Sequence, residues 1–111
     1  MSEKRKYMRF NVFLDALCRI GDTLNKLKVN DFSREGAGLL SRDYIPAGEN
    51  IEMELNIPGD NIPITIIGEI VWTRDTAHGD TPHKCGLKIK KIANSDRNRI
   101  LDHIYKKMEG R

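Results

Sequence analysis

Met8-Arg9-Phe10-Asn11-Val12-Phe13-Leu14-Asp15-Ala16-Leu17-Cys18-Arg19-Ile20 carries an apolar residue at every even position, while Arg9, Asn11, Asp15 and Arg19 stand at odd ones. Successive side chains of a strand point to opposite faces, so strict period two over this length means a half-buried β-strand. Gly21-Asp22 supplies turn chemistry directly after it, and Thr23 to Phe32 reads as a second strand that returns antiparallel. Gly36 to Leu40 is a short third apolar segment.

Downstream of the Ile45-Pro46-Ala47-Gly48 punctuation, Ile51, Met53, Leu55 and Ile57 alternate with Glu52, Glu54 and Asn56, and Pro58-Gly59-Asp60-Asn61 turns the chain. The partner arm runs from Ile62 to Thr73, with Ile62, Ile64, Ile66, Ile70 and Trp72 expected on one face and Gly68 as a bulge or bend. A loop from Asp75 to His83 leads to a last strand around Lys84 to Lys91, with Cys85, Leu87 and Ile89 on its apolar face. Ser95 is a good N-cap, and Ile100, Leu101, Ile104, Tyr105 and Met108 then recur at helical spacing. The expected fold is mainly β: a six-stranded antiparallel β-barrel closed by a C-terminal α-helix.

At 111 residues the chain suits one hydrophobic core, so residues 1–111 are read as a single domain whose first nine residues form a basic, flexible arm. No apolar run approaches the roughly 20 residues of a membrane span, and the start Met-Ser-Glu-Lys-Arg-Lys is not followed by the apolar region of a secretory signal. The expectation is therefore a cytoplasmic protein with no membrane insertion. In that setting Cys18 and Cys85, both on apolar faces, read as buried free thiols.

The net charge of +3 is too small to argue for nucleic acid, and its distribution is more informative. Lys4, Arg5, Lys6 and Arg9 crowd one decapeptide, and Lys84, Lys88, Lys90 and Lys91 crowd another, which favours a small polyanion as ligand. Arg5 and Arg9 share odd parity at the entrance to the first strand, so both face away from the core. Arginine brings a planar fork that pairs bidentately with guanine O6 and N7 or with phosphate, and a flat face that stacks on a base.

A second constellation is Asp31-Phe32-Ser33-Arg34-Glu35-Gly36. Its carboxylate can accept from the N1–H and amino donors of guanine, its hydroxyl and backbone N–H groups suit a phosphate oxygen, and Gly36 and Gly38 permit close backbone approach. His78, His83, Cys85 and His103 fit no compact zinc spacing, so no metal site is expected. Nor does any Ser-His-Asp, Cys-His or paired-carboxylate arrangement suggest catalysis. Trp72 reads as a core or barrel-mouth anchor. The helix stripe of Ile100, Ile104 and Met108 reads as packing, and its other face, with Arg97, Arg99 and Lys106, as a surface for a partner.

An Arg-x-x-x-Arg stretch entering the first strand, followed some twenty residues later by Asp-x-Ser-x-x-Gly, resembles the PilZ domain, the bacterial cyclic di-GMP receptor. The Pro46-Ala47-Gly48 turn, the Gly68-Glu69-Ile70-Val71-Trp72 strand and the Gly86-Leu87-Lys88-Ile89 strand fall where that family has similar segments. Two positions depart from its pattern: Ile89 stands where an aromatic residue is usual, and Lys4 precedes the first arginine, a position linked to how many ligand molecules bind.

The resemblance implies a PilZ-like split barrel that binds cyclic di-GMP without catalysis or cofactor, through Arg5, Arg9, Asp31, Ser33 and Gly36, with Lys4, Lys6 and Gly38 as secondary contacts. It implies further that the N-terminal arm changes conformation and relays the signal to an unidentified downstream effector protein. The alternatives are a small basic β-barrel for single-stranded nucleic acid, which the 6% aromatic content argues against, and a PilZ-like protein-interaction module without ligand binding, which the filled motif argues against.

Overall fold

Period-two alternation is what builds the first strand. In the computed structural model, which describes residues 9–77 and 79–109, β1 (Phe10–Ile20) buries Leu14, Ala16 and Cys18 and exposes Asn11, Asp15 and Arg19. It is followed by β2 (Thr23–Phe32), β3 (Gly36–Ser41), β4 (Asn50–Leu55), β5 (Ile64–Asp75), β6 (His83–Lys91) and α1 (Asn94–Glu109). Every pairing is antiparallel, and the strands close into a barrel in the order β1-β2-β3-β6-β5-β4. The barrel closes where Ala16 to Arg19 of β1 pair with Glu52 to Leu55 of β4.

The core is the barrel lumen. Val29, Leu39, Met53, Leu55, Ile64, Ile66 and Ile70 are all at most 1% exposed, and each such aliphatic side chain contributes roughly 1.5–3 kcal/mol by leaving water. Ile100 and Ile104 of α1 join the same cluster and cap one end of it. Cys18 and Cys85 are buried there as free thiols; burial, with Cys85 nearby, pushes the Cys18 thiol up to about 12, and burial raises Cys85 as well.

Four expectations about individual residues are corrected. Ile62 precedes β5 and is 67% exposed, because the pairing of β4 with β5 starts only at Leu55 with Ile64. The helix begins two residues early: Arg97 N–H donates to Ala93 O at 2.9 Å, so Ala93 is the N-cap and Ser95 lies in the first turn. Met108 is 54% exposed, since the barrel end is already filled by Ile100 and Ile104. Arg99, expected on a partner-facing surface, instead anchors the helix: its guanidinium donates to Asp60 Oδ2 at 2.7 Å, to Asp96 Oδ1 at 3.0 Å and to the Ile62 carbonyl.

Candidate ligand-binding face

Three strands carry an extra residue at one level of the barrel. Asn11 pairs with Asp31 and Leu14 with Val29, which leaves one more residue on β1 than on β2. Val29 pairs with Leu39 and Asp31 with Gly38, so Asn30 is extra on β2. Ile70 pairs with Leu87 and Trp72 with Gly86, so Val71 is extra on β5. A bulge breaks alternation and re-aims the side chains that follow it. Val29 and Phe32 consequently both point inward, at 1% exposure each, while Asp31 between them turns out. In the same way Ile70 is buried, and Val71 and Trp72 are 48% and 39% exposed. Trp72 is thus not a core anchor but an outer-face residue.

The register then lines up one transverse row on the outside of the barrel: Asn11, Asp31, Gly38, Gly86 and Trp72. Its middle is floored by glycine, with Gly36 adjoining. A methyl group at Gly38 would lie 2.5 Å from Asp31 Oδ2, one at Gly86 2.2 Å from the Trp72 indole nitrogen, and one at Gly36 2.6 Å from the Leu87 carbonyl. Side chains from both ends of the row therefore lie down over bare backbone, which only glycine permits.

At one end Arg9 Nη1 meets Asp31 Oδ1 at 2.5 Å, with the two side chains 30% and 19% exposed. A pair this short and partly sheltered is charge-assisted and stronger than a surface ion pair. At the other end the Arg74 guanidinium stands 5.1 Å from the centre of the Trp72 ring. Lys84 and Lys88 flank Gly86 on β6, so the rim is basic.

Of the expected site residues, Arg9, Asp31, Gly36 and Gly38 come together here. Ser33 is adjacent but buried, and its hydroxyl is used within the β2–β3 turn: Gly36 N–H donates to Ser33 Oγ at 3.2 Å, and Ser33 N–H donates to Gly36 O at 2.8 Å. Its visible role is to hold the turn that sets Gly36 beside β6, where Ile89 N–H donates to Glu35 O at 2.8 Å. Arg5, Lys4 and Lys6 lie outside the described residues. No local sequence pattern places Trp72, Arg74 or Asn30 in the site, because the bulges that bring them there are set by pairing between distant strands.

Elsewhere, an open cavity of about 740 Å³ is lined by residues that include Asp15, Lys26, Lys28, Arg42, Asn56 and Thr81. As an anion site it is weakened, because Lys28 is already paired with Asp15 and Asp80 adds a further carboxylate. Among the described residues no three His, Cys, Asp or Glu gather to hold a metal, and no helix is long and apolar enough to cross a membrane.

Comparison with known proteins agrees with this fold. The chain superposes on the inhibitor of motility MotI/DgrA from Bacillus subtilis with a TM-score of 0.78 at 16% identity, covering 99% of this chain and 54% of that one. The PilZ domain of YcgR with c-di-GMP from Escherichia coli matches at 0.73 and 15%, over 98% of this chain and 95% of that one. YcgR in complex with c-di-GMP matches at 0.76 and 15%, over 97% and 49%, so the chain spans about half the length of YcgR and of MotI/DgrA. A search of curated proteins finds no match. The model of the PilZ domain matches residues 3–106, nearly the whole of the barrel and helix described above, and the chain belongs to the PilZ domain family.

Proposed function

We propose that this chain is a non-catalytic receptor that binds cyclic di-GMP on the outer barrel face, over the glycine floor between the Arg9–Asp31 pair and Trp72. The observation that carries the reading is the 2.5 Å contact of Arg9 with Asp31 above Gly36 and Gly38. It sets a guanidinium, which suits phosphate and the guanine O6/N7 edge, beside a carboxylate, which suits the guanine N1–H and amino edge. The family assignment and two solved structures of one similar protein, YcgR with c-di-GMP, support the same ligand.

In this reading Arg5 completes the clamp, Lys4 and Lys6 add positive charge, and Ser33 and Gly36 shape the backbone next to a phosphate. Residues 1–9 fold over the dinucleotide, and the altered surface changes affinity for a downstream protein, so function is a coupling between two binding events. The whole chain, residues 1–111, acts as one unit in this scheme.

Calorimetric titration of the full chain with cyclic di-GMP, against GTP and a single-stranded oligonucleotide, tests it. Binding is expected for the cyclic dinucleotide. Arg9→Ala and Asp31→Ala each remove charge-assisted contacts worth roughly 1.5–3 kcal/mol, a loss of about tenfold to a hundredfold, with unchanged circular dichroism. No heat at tens of micromolar ligand, or oligonucleotide binding that survives Asp31→Ala, overturns the proposal.

A further inference from the structure

Asn30 is a polar residue beside Asp31 on this face, and no motif accounts for it. It is the extra residue of the β2 bulge, and the bulge sends both Asn30 and Asp31 across the neighbouring strand at Gly38. Asn30 Oδ1 lies 2.8 Å, and Asp31 Oδ2 2.5 Å, from the one point where a methyl group at Gly38 would stand. Asn30 Oδ1 is buried and accepts from no donor among the described residues. Asp31, by contrast, already has Arg9.

Both acceptor oxygens therefore rest against the Gly38 backbone close to one another, which is unfavourable without a shared donor, and a buried acceptor without a donor costs roughly 1–3 kcal/mol. The donor that suits both oxygens has two N–H bonds on one nitrogen, directed at two acceptors at once: a primary amine conjugated to a ring. The absence of a side chain on Gly38 is what lets both oxygens lie this close to the strand, side by side at the Arg9–Asp31 end of the face.

We infer that Asn30 is a specificity-determining residue, whose side-chain oxygen accepts from the exocyclic amino group of a bound guanine while Asp31 accepts from the ring N–H and the other amino hydrogen. The inference rests on the cyclic di-GMP reading of this face. It adds that the amino group, and not only the ring N–H, is read by a pair of acceptors on adjacent residues. Cyclic dinucleotides whose base lacks that amino group are then discriminated against through Asn30.

The test is a cycle between one ligand atom and one side chain. Calorimetry compares cyclic di-GMP with its hypoxanthine analogue, which keeps the ring N–H and lacks the amino group, on the native chain and on Asn30→Ala. The native protein is expected to prefer cyclic di-GMP. In Asn30→Ala that preference shrinks by about tenfold, the size expected for one buried hydrogen bond, while affinity for the analogue stays within about twofold.

A native ratio retained in Asn30→Ala, or an equal loss for both ligands, overturns the inference, the second outcome meaning that Asn30 only braces Asp31. If the native chain binds neither ligand, the cyclic di-GMP reading itself has failed, which the native titration shows alone. Should Asn30→Ala lose its cooperative melt, Asn30→Ser carries the same test, since its shorter hydroxyl stops short of the shared point and the same tenfold loss is expected.

Discussion

Single side chains decide both what this face recognises and how the barrel is held. Arg9 and Asp31 gain meaning from the glycines beneath them, because a methyl group at Gly36 would meet the Leu87 carbonyl at 2.6 Å, and backbone must then shift. Gly36→Ala is therefore expected to destabilise the barrel by about 1–3 kcal/mol, read as a lower urea midpoint at unchanged slope. Cys18 gives an alkaline counterpart. Its thiol is held near 12 in the folded protein against an ordinary value near 9, so both states are protonated at neutral pH and its contribution is intact there. Above about pH 9 the unfolded chain releases a proton that the folded chain retains, and stability falls as pH rises. Chemical denaturation at pH 7.5 and pH 10 is expected to show that fall in the native protein and a smaller one in Cys18→Ala. Equal falls would mean that other groups dominate.

At the scale of elements, alternation made most of the barrel legible in advance. β2 begins and ends at Thr23 and Phe32 as its turn residues indicate, and β4 shows the apolar-in, Glu-out pattern of Ile51 to Leu55. Period two reports a strand's two faces only while pairing stays regular. Where Asn30 and Val71 are inserted, parity flips, so Trp72 leaves the face that Ile64, Ile66 and Ile70 share, and Asp31 comes out between Val29 and Phe32. Those flips depend on β3 and β6 and cannot be counted along one strand. Trp72 also offers a reporter as the chain's one tryptophan. Ligand arriving beside it is expected to change its fluorescence, and Gly86→Ala, which drives a methyl group into the indole, is expected to shift the unliganded spectrum and weaken the ligand response. An unaltered spectrum and titration in Gly86→Ala would count against this wall of the site.

The helix is tied to the barrel by another pairing absent from any local pattern. Arg99 holds the Asp60 carboxyl below the usual carboxylate range, so the folded state favours the ionised acid. The link is present above the unfolded carboxylate value, near 4, and is lost as pH falls through the lower folded one. Asp60→Asn is expected to lower the melting temperature at pH 7 and to flatten the acid side of the melting profile. A variant whose profile parallels the native one at every pH would show that Ile100 and Ile104 alone hold the helix. Tyr105, edge-on to Phe10 at 5.9 Å between ring centres, places the later turns of this helix one residue from Arg9.

Across the whole molecule, a closed barrel stacks β1, β2, β3, β6 and β5 so that one row of residues crosses five strands. Two acceptors and a guanidinium occupy one end, an aromatic ring with its own guanidinium the other, and bare backbone the middle. The competing hollow at Asp15, Lys26, Lys28, Arg42 and Thr81 sets the Asp15 and Asp80 carboxylates among its cations. The most direct test maps amide chemical shifts of the full chain during titration with cyclic di-GMP. The account predicts that the largest changes fall on Asn11, Asn30, Asp31, Gly36, Gly38, Gly86 and the Trp72 indole N–H. Changes centred instead on Lys26, Lys28, Arg42 and Thr81, or no changes at saturating ligand, would contradict it.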